Sequence, residues 1–317
     1  MASSGSYNYS MDRDTLIRRA MQLANIVNLN QSARGDDQAY AVDILQSMIK
    51  LWQAEGIQLW NRRQATLFTA YQDERYSISH TGDHCTNTYV DTTISSAEAS
   101  GQTVLSLTST VGMTAADNIG IELDDGTRQW TTIVSVDSST QVTVTAALTA
   151  NAAAGNTVVT YTNKISDRPL RILDMRKVLL NNQKIAVQME QIGYAEYFNI
   201  SLKSTDGTPL NYYYDKLLGS GEVYVFPRPD DVNILLEFTY HEAIEDVDNG
   251  TDSFDFPSEW TLPLIYGLAA ELMVAYGKFQ ELPLIQQKAE QYKEIARDFD
   301  ADEDPLFILP TGFGKYH

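Results

Sequence analysis

Residues 119–136 read IGIELDDGTRQWTTIVSV, in which two runs rich in apolar and β-branched residues flank Asp125-Gly126. Short runs of this composition, bounded by turn-forming residues, are typical of β-strands. Asp-Gly between two such runs strongly indicates a tight hairpin. The stretch therefore predicts two antiparallel strands joined by a turn at Asp125 and Gly126.

The residues around this hairpin share its character. From about Thr86 to Asn163 the chain is rich in Thr, Ser, Val and Ala and nearly free of Lys and Arg. Further short β runs occur at TVLSLT (103–108), QVTVTA (141–146) and TVVTY (157–161). We therefore predict a small all-β domain, inserted at residues 86–163 of a host domain.

Two helices are predicted before the insertion, within 11–28 and 35–56. Their apolar residues recur at helical spacing, as Leu16, Ala20, Leu23, Ala24 and Val27, then as Ala41, Leu45, Met48 and Trp52. Ser10 or Asp12 can cap the first helix, and Gly56 can end the second. We predict a helical hairpin, then strands at 66–70 and 75–79 around a turn.

Between the insertion and the last helices, the chain mixes strands with one short helix. LNYYYDK (210–216), EVYVFPRP (222–229) and NILLEFTYH (233–241) have strand composition, and a turn at Pro227 to Asp231 joins the last two. The short helix is predicted in QIGYAEYFNI (191–200).

A second helical pair follows at about 258–276 and 282–299. Ser258 is the predicted N-cap and Gly277 the stop of its first helix. That helix has the apolar stripe Leu264, Leu268, Leu272 and Ala275, and its small residues Gly267, Ala269 and Ala270 allow another helix to approach closely. In the last helix the residues predicted to face inward are Ile285, Ala289, Tyr292, Ile295 and Phe299.

These elements predict an α+β fold with a helical-bundle core, a small antiparallel β region and an inserted all-β domain. We divide the chain into an N-terminal arm (1–10), a discontinuous core (11–85 and 164–304), the insertion (86–163) and a C-terminal arm (305–317). The N-terminal arm has neither the basic start nor the apolar run of a secretory signal.

The C-terminal arm is apolar although an acidic run, DFDADED, precedes it. Pro305 and Pro310 prevent a continuous helix. The arm either folds back onto its own domain or binds another chain, and we predict partner docking through Leu306, Phe307, Ile308, Leu309, Pro310 and Phe313. Tyr212, Tyr213 and Tyr214 place rings on both faces of a strand, so they are predicted interface aromatics; a strand buried on both faces is the alternative.

Charge and composition limit the function classes. Lys and Arg number 23 against 42 Asp and Glu, a net charge of −19, and 43% of the residues are hydrophobic. The hydrophobic fraction supports a packed core. The negative charge opposes binding to phosphate backbones and to anionic membrane surfaces. No run of 18 or more apolar residues is present, and the single cysteine, Cys85, fits a reducing compartment.

No motif in the sequence indicates catalysis, a cofactor or a metal. Gly219 and Gly221 precede a strand rather than a helix, so a hairpin turn is favoured over a phosphate loop. His80, His84 and Cys85 lie close together but lack further ligands with zinc-site spacing. Asp298, Asp300 and Asp302 resemble half of a calcium loop, yet Glu303 stands where the loop needs glycine and Leu309 where it needs glutamate. We predict neither an enzyme nor a cofactor or metal site.

The order of the elements resembles head-to-tail adaptor proteins of tailed bacteriophages, a family that includes packaged-DNA stabilisation proteins and tail tubular proteins. The residues with this resemblance are, in three segments, Trp52, Ala54, Gly56, Leu59, Trp60 and Tyr76; Pro209, Tyr213, Pro227 and Pro229; and Pro257, Glu259, Trp260, Leu268, Ala269 and Tyr276. It covers roughly residues 11–80 and 165–305, and the insertion departs from the smaller members.

The resemblance implies a structural virion protein at the portal vertex, or neck, of a phage particle, made in the host cytoplasm. It implies a twelve-fold homo-oligomeric ring beneath the portal protein, which closes the DNA exit and provides a platform for tail nozzle, tail tube or tail fibre proteins. DNA is then expected to pass through the lumen without specific binding. The alternatives are a capsid decoration or tail-fibre attachment protein and, with less support, a phage cell-wall hydrolase.

Overall fold

The computed structural model of the protein describes residues 9–56, 61–180, 184–246, 248–251 and 256–300. The chain divides into two units, residues 61–243 and the combined segments 1–60 and 244–317. We call the first the β unit and the second the helical unit. The predictions for residues 1–8, for Leu59 and Trp60, and for the C-terminal arm lie outside the described residues.

The helical unit begins with α1 (Arg13–Leu23) and α2 (Gly35–Ala54). Asp12 caps α1 as predicted, since its Oδ1 accepts a hydrogen bond from the Thr15 amide at 2.6 Å. The predicted stripe of α2 is buried, from Ala41 to Trp52. Gly56, just beyond the end of α2, has φ +87°, a conformation that favours glycine.

The unit is completed by a 3-10 turn (Ser258–Trp260), α4 (Thr261–Ala275) and α5 (Leu282–Phe299). α4 is the central helix, because α1, α2 and α5 all pack against it, and α1 contacts it more than it contacts α2. A Cβ at Gly267 would lie 3.0 Å from the Met48 sulfur, so the predicted close approach to this helix is confirmed.

Two details of this pair differ from the prediction. Ser258 is not the N-cap of α4, because the 3-10 turn precedes the helix and Trp260 occupies the cap position. Ile285 is buried in α5, but Ile295 and Phe299 are 58% and 72% exposed. The buried face continues through Ala296 instead, so the apolar stripe read from the sequence is rotated at the end of the helix.

The β unit holds one short helix, α3 (Tyr194–Phe198), and fifteen strands among the described residues. The strands are β1 (Arg62–Phe68), β2 (Arg75–Ile78), β3 (Cys85–Thr86), β4 (Val90–Thr93), β5 (Val104–Ser106), β6 (Asn118–Glu122), β7 (Arg128–Ser138), β8 (Gln141–Val144), β9 (Thr157–Tyr161), β10 (Arg171–Leu179), β11 (Ala186–Gln188), β12 (Glu190–Gln191), β13 (Asn211–Lys216), β14 (Gly221–Phe226) and β15 (Ile234–His241).

These strands form three sheets. The orders are β11-β10-β15-β1-β3, β12-β13-β14-β2 and β4-β9-β6-β7-β8-β5. All pairs are antiparallel except β12 with β13. The first two sheets share one buried core, to which β15 contributes Leu236, Phe238 and Tyr240. The alternate residue Leu235 points to a second cluster on the opposite face of the same sheet, as the period of two requires.

The six-stranded sheet is formed entirely by residues within 86–163. Its five predicted β runs are all strands, and the predicted hairpin pairs Glu122 with Arg128 around Gly126, whose φ is +83°. The two ends of the segment lie side by side, since the Thr86 hydroxyl donates to the Asn163 carbonyl at 2.7 Å. The four-part division of the chain remains a prediction.

The mixed class is confirmed, but the expected helical-bundle core is not, because strands hold more of the described residues than helices. The β region of the host was underestimated, since β10 and β15 are long central strands with their own core. β1 and β2 follow one another but belong to different sheets, and so do β14 and β15. Among the described helices, none is long and apolar enough to cross a membrane.

Candidate assembly surfaces

Tyr212, Tyr213 and Tyr214 lie on β13 and alternate between its two faces. Tyr212 and Tyr214 are buried between the two sheets, 1% and 7% exposed. Burial raises the pKa of Tyr212 to about 12. The Tyr214 hydroxyl donates to the Pro169 carbonyl. Only Tyr213 reaches the outer face of the sheet, so it is the member of the trio that is available for contacts beyond this core.

Around Tyr213 lies a group of aromatic rings that we call the α3 aromatic surface, formed by Tyr194, Phe198, Tyr213 and Tyr224 over the buried Tyr197. The rings of Tyr194 and Phe198 are 4.5 Å apart, and those of Tyr213 and Tyr224 are 5.8 Å apart. Tyr194 is 61% exposed and Phe198 39%. Aromatic residues of this kind are enriched at protein interfaces.

Cationic groups border the α3 aromatic surface. The Lys203 ammonium lies 4.9 Å from the Phe198 ring centroid, and the Arg75 guanidinium lies 5.9 Å from that of Tyr224. Arg75 also pairs with Glu222 at 2.7 Å. Burial and the neighbouring Asp215 carboxylate raise the pKa of Tyr213. The surface is therefore apolar at its centre and charged at its edge, like a protein interface.

Further exposed apolar side chains lie near this surface in the sequence. The β13–β14 hairpin presents Leu217 and Leu218, which are 41% and 100% exposed, next to Gly219 at φ +88°. This turn confirms the hairpin interpretation of Gly219 and Gly221. Leu202 and Leu210 are also more than half exposed. No periodic pattern in the sequence indicates that these four leucines lie outside the core.

The helical unit has an apolar surface of its own, which we call the α2–α4 groove. It is a cavity of about 370 Å³ lined by Asp43, Ile44, Ser47, Met48, Leu51 and Glu271. Leu51 is 60% exposed. Ile44 and Leu51 do not belong to the buried stripe of α2. Because they are apolar and lie off that stripe, the sequence alone contains the signal that identifies them as surface contacts.

The described chain ends close to α2. Trp260 is fully buried and its indole N–H donates to the Asp300 carboxylate. Asp300, considered from the sequence as part of a calcium loop, thus accepts a hydrogen bond from an indole. Asp302 and the predicted docking residues Leu306, Phe307, Ile308, Leu309, Pro310 and Phe313 lie outside the described residues.

The residues considered for zinc have other contacts. Cys85 is fully buried, and burial raises the pKa of its thiol. The His84 ring stacks on Trp130, and its Nδ1 lies 2.6 Å from the Tyr161 hydroxyl. Burial and the Lys164 ammonium lower the pKa of His84 to about 4. Across the described part of the chain, no three His, Cys, Asp or Glu side chains form a group able to hold a metal.

These aromatic contacts join the six-stranded sheet to the sheet β11-β10-β15-β1-β3 within the β unit. Phe68 of β1 lies 5.2 Å from Trp130 and 5.9 Å from Tyr161, centroid to centroid. A polar contact reinforces them, because Arg128 Nη2 donates to Asn233 Oδ1 at 3.1 Å. Burial lowers the pKa of Arg128 to about 10. Specific side chains therefore pack the six-stranded sheet against the five-stranded sheet that contains β1.

Comparison with known families matches residues 115–306 to the model of the SU10 adaptor protein family. This is more than half of the chain, and it includes β6 to β9 of the six-stranded sheet as well as α4 and α5. No curated protein matches the chain significantly. The chain belongs to the SU10 adaptor protein family, and is thus a structural adaptor of bacteriophage particles. Membership in a structural family favours a non-enzymatic function.

Proposed function

We propose that this protein is a head-to-tail adaptor that assembles as a twelve-fold ring beneath the portal protein at the neck of the virion. It closes the DNA exit channel after packaging and provides the attachment platform for tail nozzle, tail tube or tail fibre proteins. The observation that carries this proposal is the adaptor-family match over 115–306.

The exposed apolar surfaces support a ring. A head-to-tail ring needs two different patches on every subunit, because each interface joins one patch to the other. The α3 aromatic surface lies in the β unit and the α2–α4 groove in the helical unit, so the chain has distinct apolar areas for such contacts. The C-terminal arm, through Leu306 to Leu309, adds a contact to the portal or to a neighbouring subunit.

The charge suits a channel for DNA. With a net charge of −19, the subunit repels phosphates, so genome DNA can pass through the lumen without specific binding. The same charge favours encounter with basic patches on a portal, although charge affects the rate of association more than its strength.

The test is the particle mass of the purified protein, alone and mixed with the portal of the same virus, with electron microscopy of the complex along its axis. We expect a twelve-fold ring on the portal. Binding elsewhere on the capsid would favour a decoration or tail-fibre attachment protein instead. Cell-wall cleavage that is abolished by substituting one carboxylate would indicate a hydrolase.

A further inference from the structure

A mostly apolar stripe on α2 runs through the α2–α4 groove and extends one turn beyond it. Tyr40, Ile44, Ser47 and Leu51 are spaced by four, three and four residues, so they lie on one face of α2. Tyr40 is 46% exposed, and Val274 on α4 is 47% exposed. From Tyr40 to Leu51 the stripe extends about 16 Å at 1.5 Å per residue.

The groove has an acidic rim. Asp43 and Glu271 line it, and α2 begins with Asp36 and Asp37. An occupant of this groove should therefore be apolar, with a basic group and no acidic side chains where it meets the rim.

The described chain ends near the C-terminal end of α2. Asp300, just after α5, bonds to Trp260, and the Trp260 ring lies 5.7 Å from that of Trp52. Lys293 of α5 pairs with Glu55 at 2.7 Å, one residue beyond α2. The C-terminal end of α5 is thus held at the C-terminal end of α2. Leu51, the last residue of the stripe, directly precedes Trp52 in the sequence of that end of α2.

The length and chemistry of the remaining chain fit the groove. Six residues lead from Asp300 to Leu306, and an extended chain of that length spans at most about 20 Å. The apolar run Leu306 to Leu309 then covers about 13 Å, close to the length of the stripe. Beyond Asp304 the arm contains no acidic side chain, and its basic residues are Lys315 and His317.

We propose that the α2–α4 groove binds the C-terminal arm of the same chain, through Leu306 to Phe313, before the protein joins a ring. Tethering favours the chain's own arm, because a short linker gives an effective concentration in the millimolar range. The inference deepens the proposed function and rests on it for its biological meaning, since an arm held in this way must be released to bind a neighbour or the portal.

Disulfide trapping in the full-length protein tests this proposal. The native cysteine, Cys85, is fully buried, so it does not compete with introduced thiols. We expect Leu51→Cys with Phe307→Cys to form an intramolecular bond under mild oxidation, seen as a shifted monomer band without reductant. The matched control is Leu29→Cys with Phe307→Cys, because Leu29 is 83% exposed and does not line the groove. Its yield should be at least about tenfold lower.

Two results would overturn the proposal. Covalent dimers as the main product would assign the groove to the arm of a second copy, and a yield equal to the control would remove the arm from the groove altogether. A second measurement uses Leu51→Asp and its control Leu29→Asp. We expect only Leu51→Asp to speed chymotrypsin cleavage after Phe307, about tenfold, with an unchanged melting temperature, and equal cleavage would count against the groove.

Failure of the two proposals can be distinguished. Disulfide trapping needs no portal, and ring formation is measured by mass with unmodified protein. A chain that forms the intramolecular bond but gives no ring on the portal would retain the groove as the site of the arm and reject the head-to-tail function.

Discussion

The imidazole of His84 lies flat on the indole of Trp130, with ring centroids 3.7 Å apart and planes 6° apart. His84 lies just before β3, and Trp130 lies in β7 of the six-stranded sheet. The same imidazole bonds to Tyr161, at the end of β9. One side chain from outside the six-stranded sheet therefore contacts both its strand β7 and the end of its strand β9.

This contact should make stability depend on pH. Burial and Lys164 lower the pKa of His84 in the folded protein to about 4, from 6.5 when unfolded. The unfolded chain then binds the proton more readily, so stability should fall as pH decreases from 6.5 to 4. His84→Phe has no imidazole to titrate, so its free energy of unfolding should lack this pH-dependent contribution. We therefore expect the difference in free energy of unfolding between the wild type and His84→Phe, measured by urea titration, to shrink from pH 6.5 to pH 4.

Carboxylates titrate in both proteins and cancel in this comparison. His80→Phe is the matched control, because His80 is exposed and is not among the stacked rings. A constant difference between wild type and His84→Phe from pH 6.5 to 4 would contradict the assignment.

Gly120 should be required where β6 passes Trp130. A Cβ at this position would lie 2.8 Å from the Trp130 ring. Gly120→Ala is expected to lower the free energy of unfolding by about 1–3 kcal/mol, as overpacking does. Gly193→Ala is the control, since no atom lies within 4 Å of its Cβ position. The double variant Gly120→Ala, Trp130→Leu should lose less free energy of unfolding than the two single variants together. Additive losses would show that the clash is absent.

The tyrosine trio provides a matched pair for stability and assembly. Tyr212→Ala removes a fully buried ring from the core shared by the first two sheets and should lower the free energy of unfolding by about 3–5 kcal/mol. Tyr213→Ala removes ring contacts on the outer face, which are worth about 0.5–1.5 kcal/mol each. We expect Tyr213→Ala to fold and to assemble more weakly on the portal, measured by urea unfolding and particle mass. Normal assembly would exclude Tyr213 from the interface.

A hydrogen bond to a buried indole contributes to fixing the end of α5. Asp300→Ala removes the acceptor of the Trp260 N–H and should cost about 1–2 kcal/mol. Asp298→Ala is the control, because an acidic group at a helix C-terminus interacts unfavourably with the helix dipole, and its loss should be neutral or slightly stabilising. Equal melting temperatures for the two variants would show that the bond to Trp260 is not stabilising.

Deletion of residues 305–317 separates docking from folding. We expect the shortened protein to stay folded, because the buried residues of α1, α2, α4 and α5 already pack against one another, and to dock less stably on the portal. Circular dichroism melting and particle mass with the portal measure the two effects. Normal docking would reject the arm as a partner contact, and an unfolded product would place it in the core of its own subunit.

Local patterns predicted local structure well. Asp125-Gly126 specifies a hairpin between two strands that are adjacent in the sequence. The α2 stripe from Ala41 to Trp52 likewise follows from helical spacing within one segment. Strand partners were not predictable in this way. β1 pairs with β15, placing Arg62 opposite His241, and a pairing so distant in sequence leaves no local pattern. This is why the sequence indicates only a small β region beside a helical bundle, where the structure has two sheets that share a core.

The candidate surfaces were predictable only in part. Alternation along a strand predicts that Tyr213 faces away from Tyr212 and Tyr214, but not which side is covered. The exposure of Leu51 and Tyr194 depends on which helices and sheets pack around them, and that information belongs to the tertiary structure. Ile295 and Phe299 show the same limit, because α5 buries Ala296 in their place, and helical spacing alone does not say which face a partner covers.

The two ends of the six-stranded sheet are neighbours. Thr86 bonds to Asn163, and Val90 pairs with Thr160 in adjacent strands. A segment that enters and leaves at one point can be gained, lost or replaced during evolution with little change in the distance between the flanking residues of the host. Recombination between related phage genomes can therefore exchange this sheet as a unit.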